Sequence, residues 1–334
     1  MIKKGLMVLF VVLVSSSFVS AKVGDNVRIG GTYLGVLNSL KSKTAQFEFA
    51  SNIDFTYVMN KRLTVMLQVQ GGSGAGSLGF SGRAISFSDI LFLYDLPEYQ
   101  SHITVGSFDM PIGLGTGHLT NNADSFNHPF ILNNLFYSSL ANGVGTFNTL
   151  GLMVKRFDKM FNTTVAITNG TAGDASNANN TFATLLQLSS DSLVNKLNIS
   201  GTYLKTNDQM DPASSESFRT DLTLSFVDAR YALSKDVYLA GHYGQLIFDD
   251  NNSATKDKVT VLGAEIGYDN SDYFTAIGIS YWTPEDKDGS GSGMSDDIKK
   301  PGLFESAVAD DEIKRYQIAI GMHIDKNTQL KIEF

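Results

Sequence analysis

Histidine is the side chain best suited to acid–base work or metal binding near neutral pH, and this sequence has five: His102, His118, His128, His242 and His323. None stands in an H-E-x-x-H pair or at another spacing that would bring two imidazoles to one metal. Serines are plentiful, but no spacing singles out a nucleophile with its base. Histidines scattered in this way suit polar positions in a lumen or loop, and no enzyme is expected. One acidic run does have ligand spacing. Asp286-Lys-Asp288-Gly-Ser290-Gly291, with Asp297 at the twelfth place, follows the order of oxygen ligands around the glycine turn of a calcium loop. No flanking helical pattern accompanies it, and a Gly/Ser/Asp composition equally suits an exposed outer loop. Asp286 and Asp288 are therefore kept only as an alternative calcium pair, and no metal or cofactor is expected. The absence of cysteine removes disulfides and thiolate sites.

These residues must be held by something exported. Lys3 and Lys4 precede a short apolar run, Leu6 to Val14, and Val19-Ser20-Ala21 offers small residues for cleavage. That pattern reads as a secretory leader over 1–21, leaving 22–334 as a single domain. Loss of the two lysines takes the formal net charge from −8 to −10. A chain so acidic lacks the Lys/Arg excess that nucleic-acid binding needs. Beyond the leader, no stretch approaches the ~18 apolar residues of a membrane helix. A mean hydropathy of −0.04 resembles that of a soluble protein, yet a barrel looks the same when only alternate residues face lipid.

Alternation is what the remaining sequence displays. Phe47, Phe49, Ile53, Phe55 and Tyr57 share one face against Gln46, Glu48, Asn52, Asp54 and Thr56 on the other; Leu63, Val65, Leu67 and Val69 alternate with Thr64, Gln68 and Gln70. Period two marks a strand with one apolar and one polar face. The rows continue with Leu197, Ile199 and Tyr203; Phe218, Leu222, Leu224 and Phe226 against Arg219, Asp221, Thr223 and Ser225; Tyr273 to Tyr281; Tyr316 to Ile324 against Arg315, Gln317 and His323; and Leu330, Ile332 and Phe334. Fifteen strands are expected: 27–37, 44–59, 62–71, 82–95, 101–109, 145–156, 159–168, 181–189, 196–206, 218–231, 236–248, 258–268, 273–283, 312–324 and 328–334. All six prolines fall between them, as a residue without an N–H must in a continuous ladder.

Connection lengths alternate too. Tight turns at 60–61, 157–158, 234–236 and 269–272 interleave with longer polar loops at 71–81, 110–144, 169–180, 207–217, 249–257 and 284–311. A transmembrane antiparallel barrel has this asymmetry, short periplasmic turns against long outer loops. A soluble sandwich or solenoid has no reason for it, and no fixed repeat is visible. The aromatics Phe47, Tyr57, Tyr203, Phe218, Phe226, Tyr273 and Tyr281 sit near strand ends, where interfacial girdles belong.

Ile103-Thr-Val-Gly-Ser-Phe-Asp-Met-Pro-Ile-Gly113 resembles the V-G-x-F-x-x-P-x-G strand end of bacterial outer-membrane porins, including the phosphate-selective group. Gly151-Leu-Met-Val-Lys-Arg156 and Phe161 to Gly170 are similar to the segments with which those porins resume the barrel, so the likeness spans about 103–170. The resemblance implies about 16 strands, a trimer in many members, and a third outer loop folded into the lumen. This sequence lacks the arginine and lysine ladder of the phosphate-selective members, and that specificity is not carried over.

The expected function is a water-filled outer-membrane channel for passive diffusion of small hydrophilic solutes and ions, with outer-membrane lipid as its surroundings. Glu48, Asp54, Gln68, Arg219, Asp221, Glu265, Arg315 and Gln317 are the expected pore lining, and the surplus of carboxylates favours cations. Within loop 110–144 the one helical candidate, 129–141, is the expected constriction, with Phe130, Asn133, Asn134 and Tyr137. The alternative is a non-channel barrel serving as adhesin, receptor or anchor through its outer loops. Fifteen strands leave the last one running outward like the first, whereas single-chain bacterial barrels have an even number. That parity favours a chain that stops before its closing strand.

Overall fold

The computed structural model describes residues 10–22, 26–39, 46–75, 81–113, 148–169, 182–190, 196–210, 219–250, 256–285, 312–325 and 328–333. Among them are sixteen strands: β1 Phe10–Lys22, β2 Val27–Ser39, β3 Gln46–Val58, β4 Leu63–Ala75, β5 Ser81–Leu96, β6 Ser101–Asp109, β7 Asn148–Phe157, β8 Asn162–Thr168, β9 Ala183–Ser190, β10 Leu197–Met210, β11 Arg219–Ala232, β12 Val237–Asp250, β13 Lys256–Asp269, β14 Tyr273–Glu285, β15 Ile313–Asp325 and β16 Thr328–Glu333. Each pairs antiparallel with its sequence neighbours, and the sheet closes into a barrel. The fifteen expected segments are β2 to β16. Pro284 lies one residue inside the far end of β14, opposite Val259, rather than beyond the strand; a ladder end tolerates the missing N–H.

The sixteenth strand is β1, which lies within the residues read as a leader. It pairs with β16 along Val11↔Glu333 to Ser16↔Thr328, and with β2 along Phe10↔Ser39 to Lys22↔Arg28. β2 and β16 run in the same direction, so an all-antiparallel ring requires a strand of opposite sense between them. Phe10–Lys22 takes that place.

Polar side chains build the tight turns. The Asn60 side-chain oxygen accepts from the N–H groups of Arg62 and Leu63 at 2.8 and 3.0 Å, and Asn270 does the same for Asp272 and Tyr273 at 2.9 and 2.7 Å. Ser234 Oγ serves Asp236 and Val237 at 3.2 and 3.1 Å. Each side chain mimics a backbone carbonyl and reverses the chain in a few residues.

The outward face is an apolar band between two rows of tyrosine. Tyr57, Tyr94, Tyr231, Tyr268 and Tyr273 mark the tight-turn end, and Tyr203, Tyr243, Tyr281 and Tyr316 mark the other; all are exposed except Tyr281, which is half-buried. Ile277, Ile320, Val227, Leu262 and Val165 lie between, also exposed. Tyr273 and Tyr281 are eight residues apart on one strand. At ~3.3 Å per residue and a tilt of about 40°, that is roughly 20 Å of height, close to the ~25 Å apolar band of an outer-membrane barrel. A polar group inside the band is satisfied internally: Thr275 Oγ1 donates to the Ala319 carbonyl at 3.0 Å.

Candidate functional site

The inward face is the candidate site, and its two sides differ. From β8 to β14, in the half of the barrel nearer the long connections, it is apolar and packed. Leu204, Leu222, Leu224 and Val261 have no exposed surface, and Trp282 has 1%. They form one cluster with Leu185, Phe226, Leu246, Val259, Phe108, Met110 and Ile112. Large side chains on the wall of an empty lumen would be wet; these are covered.

Asp221, Glu265 and Gln317 do not stand where the sequence placed them in the pore lining. The row Leu222, Leu224 and Phe226 faces inward, so Asp221, with Thr223, Ser225 and Val227, belongs to the outward row. Asp221 therefore does not line the lumen, and Phe226 is not a girdle residue. The outward row reverses the usual alternation at that height because it has already passed the upper tyrosine level. In register, Tyr203 lies opposite Ser225, and Ser225 opposite Gln245. Glu265 and Gln317 both face inward, but they are only 8% and 6% exposed and lie against the wall rather than in open water.

The packed region includes the first residues of loop 110–144. Beyond β6 the chain turns into the barrel at Met110-Pro111-Ile112-Gly113. The Gly113 N–H donates to Thr202 Oγ1 at 3.1 Å, and Gln187 Nε2 donates to the Gly113 carbonyl at 2.9 Å. Thr202 and Gln187 are opposite each other on β10 and β9. Gly113 has φ +74°, and a Cβ there would meet the Phe226 ring and the Asp228 carboxylate. Only glycine fits both the backbone and the space. The rest of the expected constriction, with Phe130, Asn133, Asn134 and Tyr137, lies outside the described residues, as does the Asp286/Asp288 loop.

Nearer the tight-turn end, the same wall becomes polar. The Arg230 guanidinium stacks 3.9 Å from the centre of the Tyr238 ring, and the Tyr238 hydroxyl donates to the Glu265 carboxylate. His323 Nε2 lies 2.9 Å from Asp269 Oδ1, its ring tilted 5.3 Å from Phe274. Rings on this wall lie flat over glycines of the adjoining strand: Tyr238 over Gly267, His242 over Gly263 and Phe274 over Gly321. A Cβ at any of the three would overlap the ring, so glycine lets the aromatic cover the sheet instead of projecting into the lumen.

The opposite wall, β3 to β5 with the lower parts of β6 and β7, is open. Asp54, Thr56, Met66, Gln68 and Asp95 are half-buried there, whereas Leu91 of β5 packs against the apolar cluster. Gln68 Nε2 donates to Asp54 Oδ1 at 2.7 Å and orients the carboxylate. Asp95 faces His102 Nδ1 at 3.2 Å, His102 meets the edge of Phe157 at 4.7 Å, and Lys155 Nζ lies 5.1 Å from the same ring. Of the expected lining residues, the structure thus brings Asp54 and Gln68 together on open wall. Glu48, Arg219 and Arg315 lie on β3, β11 and β15, but their side chains are outside those described. Among described side chains within strands, the inward charges are Asp54, Asp95, Asp228, Glu265 and Asp269 against Arg28, Lys155 and Arg230. Sequence reasoning missed Asp95, Asp228 and Arg230, which occupy rows where apolar and polar residues mix on both faces. Among the described residues, no group of three His, Asp or Glu side chains is arranged to hold a metal.

No protein-family model and no curated protein matches this chain. Solved structures do resemble it. OmpF of Salmonella typhi superposes with a TM-score of 0.55 at 13% identity, over 98% of this chain and 96% of that one. The anion-selective porin from Comamonas acidovorans gives 0.53 at 10% identity, over 98% and 97%. OmpT of Vibrio cholerae, in its trimer form, gives 0.54 at 10% identity, over 98% and 87%. At such identities the likeness concerns architecture: the chain has the fold of the bacterial outer-membrane porins.

Proposed function

We propose that the protein resides in the bacterial outer membrane and forms a channel for passive diffusion of small hydrophilic solutes and ions, with a weak preference for cations. The observation that carries this reading is the pairing of opposites in one sheet. An uncharged outward band lies between two tyrosine rows, while the inward face carries, among the described side chains, five strand carboxylates against three basic groups and one half-buried, wetted wall. Lipid outside and water inside is the solvent arrangement that such a sheet satisfies.

Export through residues 1–21, loop 110–144 as the constriction and assembly as a homotrimer belong to the same proposal. The inward turn at Gly113 supports the second, and the trimer form of the similar OmpT supports the third. The rival reading, a barrel acting as adhesin, receptor or anchor, draws on the packed half of the inner wall, which narrows any conduit. Liposome swelling distinguishes the two. Vesicles containing the protein should swell in small sugars at rates that fall with solute size, and swelling no faster than in empty vesicles would favour the rival.

A further inference from the structure

We propose that the solute path is eccentric, following the wall of β3, β4 and β5 past the carboxylates of Asp54 and Asp95, and that these two groups select cationic solutes. The proposal rests on the channel reading above. Its basis is the contrast in wetting between two walls of one lumen. On one side Leu222 and Val261 are completely covered, and so are small polar groups: Ser200 has 0% exposure and Ser280 2%. A solute cannot touch what water cannot reach. On the other side Asp54, Thr56 and Gln68 retain accessible surface at the same kind of inward position.

The electrostatics follow from this division. Glu265 and Arg230 sit on the packed side, with the Tyr238 hydroxyl bonded to Glu265 and its ring stacked on Arg230. Their charges are engaged within the wall. The Asp54 carboxylate faces the open side and has one neutral donor, Gln68, fixing one of its oxygens. The Asp95 carboxylate has His102 beside it. A carboxylate fixed by a neutral donor keeps its place beside the conduit, where acidic groups bias passing ions in a confined, low-dielectric path.

The chain has no cysteine, so single cysteines report wall by wall. Thr56→Cys and Asp54→Cys on the open wall, and Ser200→Cys and Ser280→Cys on the packed wall, would be labelled with a small charged methanethiosulfonate in the folded, detergent-solubilised protein. Labelling is read by intact mass, and folding by heat-modifiable gel mobility. The open-wall thiols should react at least about tenfold faster than the packed-wall thiols, because reaction requires an exposed thiolate. In bilayers, modification of Asp54→Cys with a sulfonate reagent should restore cation preference, and a trimethylammonium reagent should reverse it. Equal labelling on the two walls would overturn the eccentric path. Labelling without any shift of reversal potential would overturn the role of Asp54. Open-wall labelling in a protein that carries no current would leave the geometry standing and remove the channel reading.

Discussion

The side-chain amide of Gln187 donates to the carbonyl oxygen of Gly113 at 2.9 Å, joining residues 74 apart in the chain. That bond fastens the root of the longest connection to the inner wall, and Thr202 Oγ1 holds the same residue by accepting from its N–H. Replacing Gln187 with Ala leaves a buried carbonyl short of a donor and frees the loop root. Open-channel current noise and spontaneous closures should increase in Gln187→Ala relative to the parent. An unchanged trace would mean the loop is held elsewhere. Gly113→Val should act more severely, because it combines a clash at Phe226 with a positive φ.

The packed half of the inner wall should behave as a core. Leu222 is fully covered, so Leu222→Ala should cost about 2–5 kcal/mol in reversible unfolding from lipid or detergent. A loss near that of an exposed Leu239→Ala would show that the region is wet.

Charge on the outside should be tolerated according to height. Ile320→Arg places a cation in the middle of the band at a cost of about 2–4 kcal/mol, whereas Thr223→Arg, above the upper tyrosine row, should cost about 0–1 kcal/mol. Leu224→Arg should be worse than either, since it buries an unpaired charge inside the barrel. Urea midpoints of the three variants provide the check, and equal shifts for Ile320→Arg and Thr223→Arg would disprove the assignment of the band.

Export and closure claim the same residues. If the leader is removed after Ala21, protein from the outer-membrane fraction begins at Lys22, lacks nearly all of β1, and leaves β2 and β16 without the strand that separates them. Intact mass and N-terminal sequencing measure this directly. We expect the start at Lys22; an intact N-terminus would establish β1 as a permanent stave.

The fifteen strands β2 to β16 were legible because period-two alternation and tight turns such as Asn60-Lys61 leave little choice of register. The facing of β11 was not, since alternation says that two faces differ and not which one faces lipid. A usable signal was present: Tyr231 shares the outward parity of Asp221 and Thr223, and a tyrosine at the tight-turn end marks the lipid row. β1 was hidden for a different reason. Its apolar run Phe10 to Val14 does not alternate, so it reads as a leader core, although the odd count pointed to a place for one more strand. Asp54 and Gln68 were legible as inward-facing residues, whereas the Arg230–Tyr238–Glu265 stack depends on contacts between neighbouring strands that no single row reveals.

Single-channel recording of the purified protein in planar bilayers, with a KCl gradient across the membrane, tests the channel reading most directly. Stepwise, ohmic conductance increments should appear, and the reversal potential should lie on the cation side because, among the described side chains, the inward carboxylates outnumber the inward cations. A membrane that stays silent with folded, inserted barrel would contradict the channel, and a reversal potential on the anion side would contradict the acidic path.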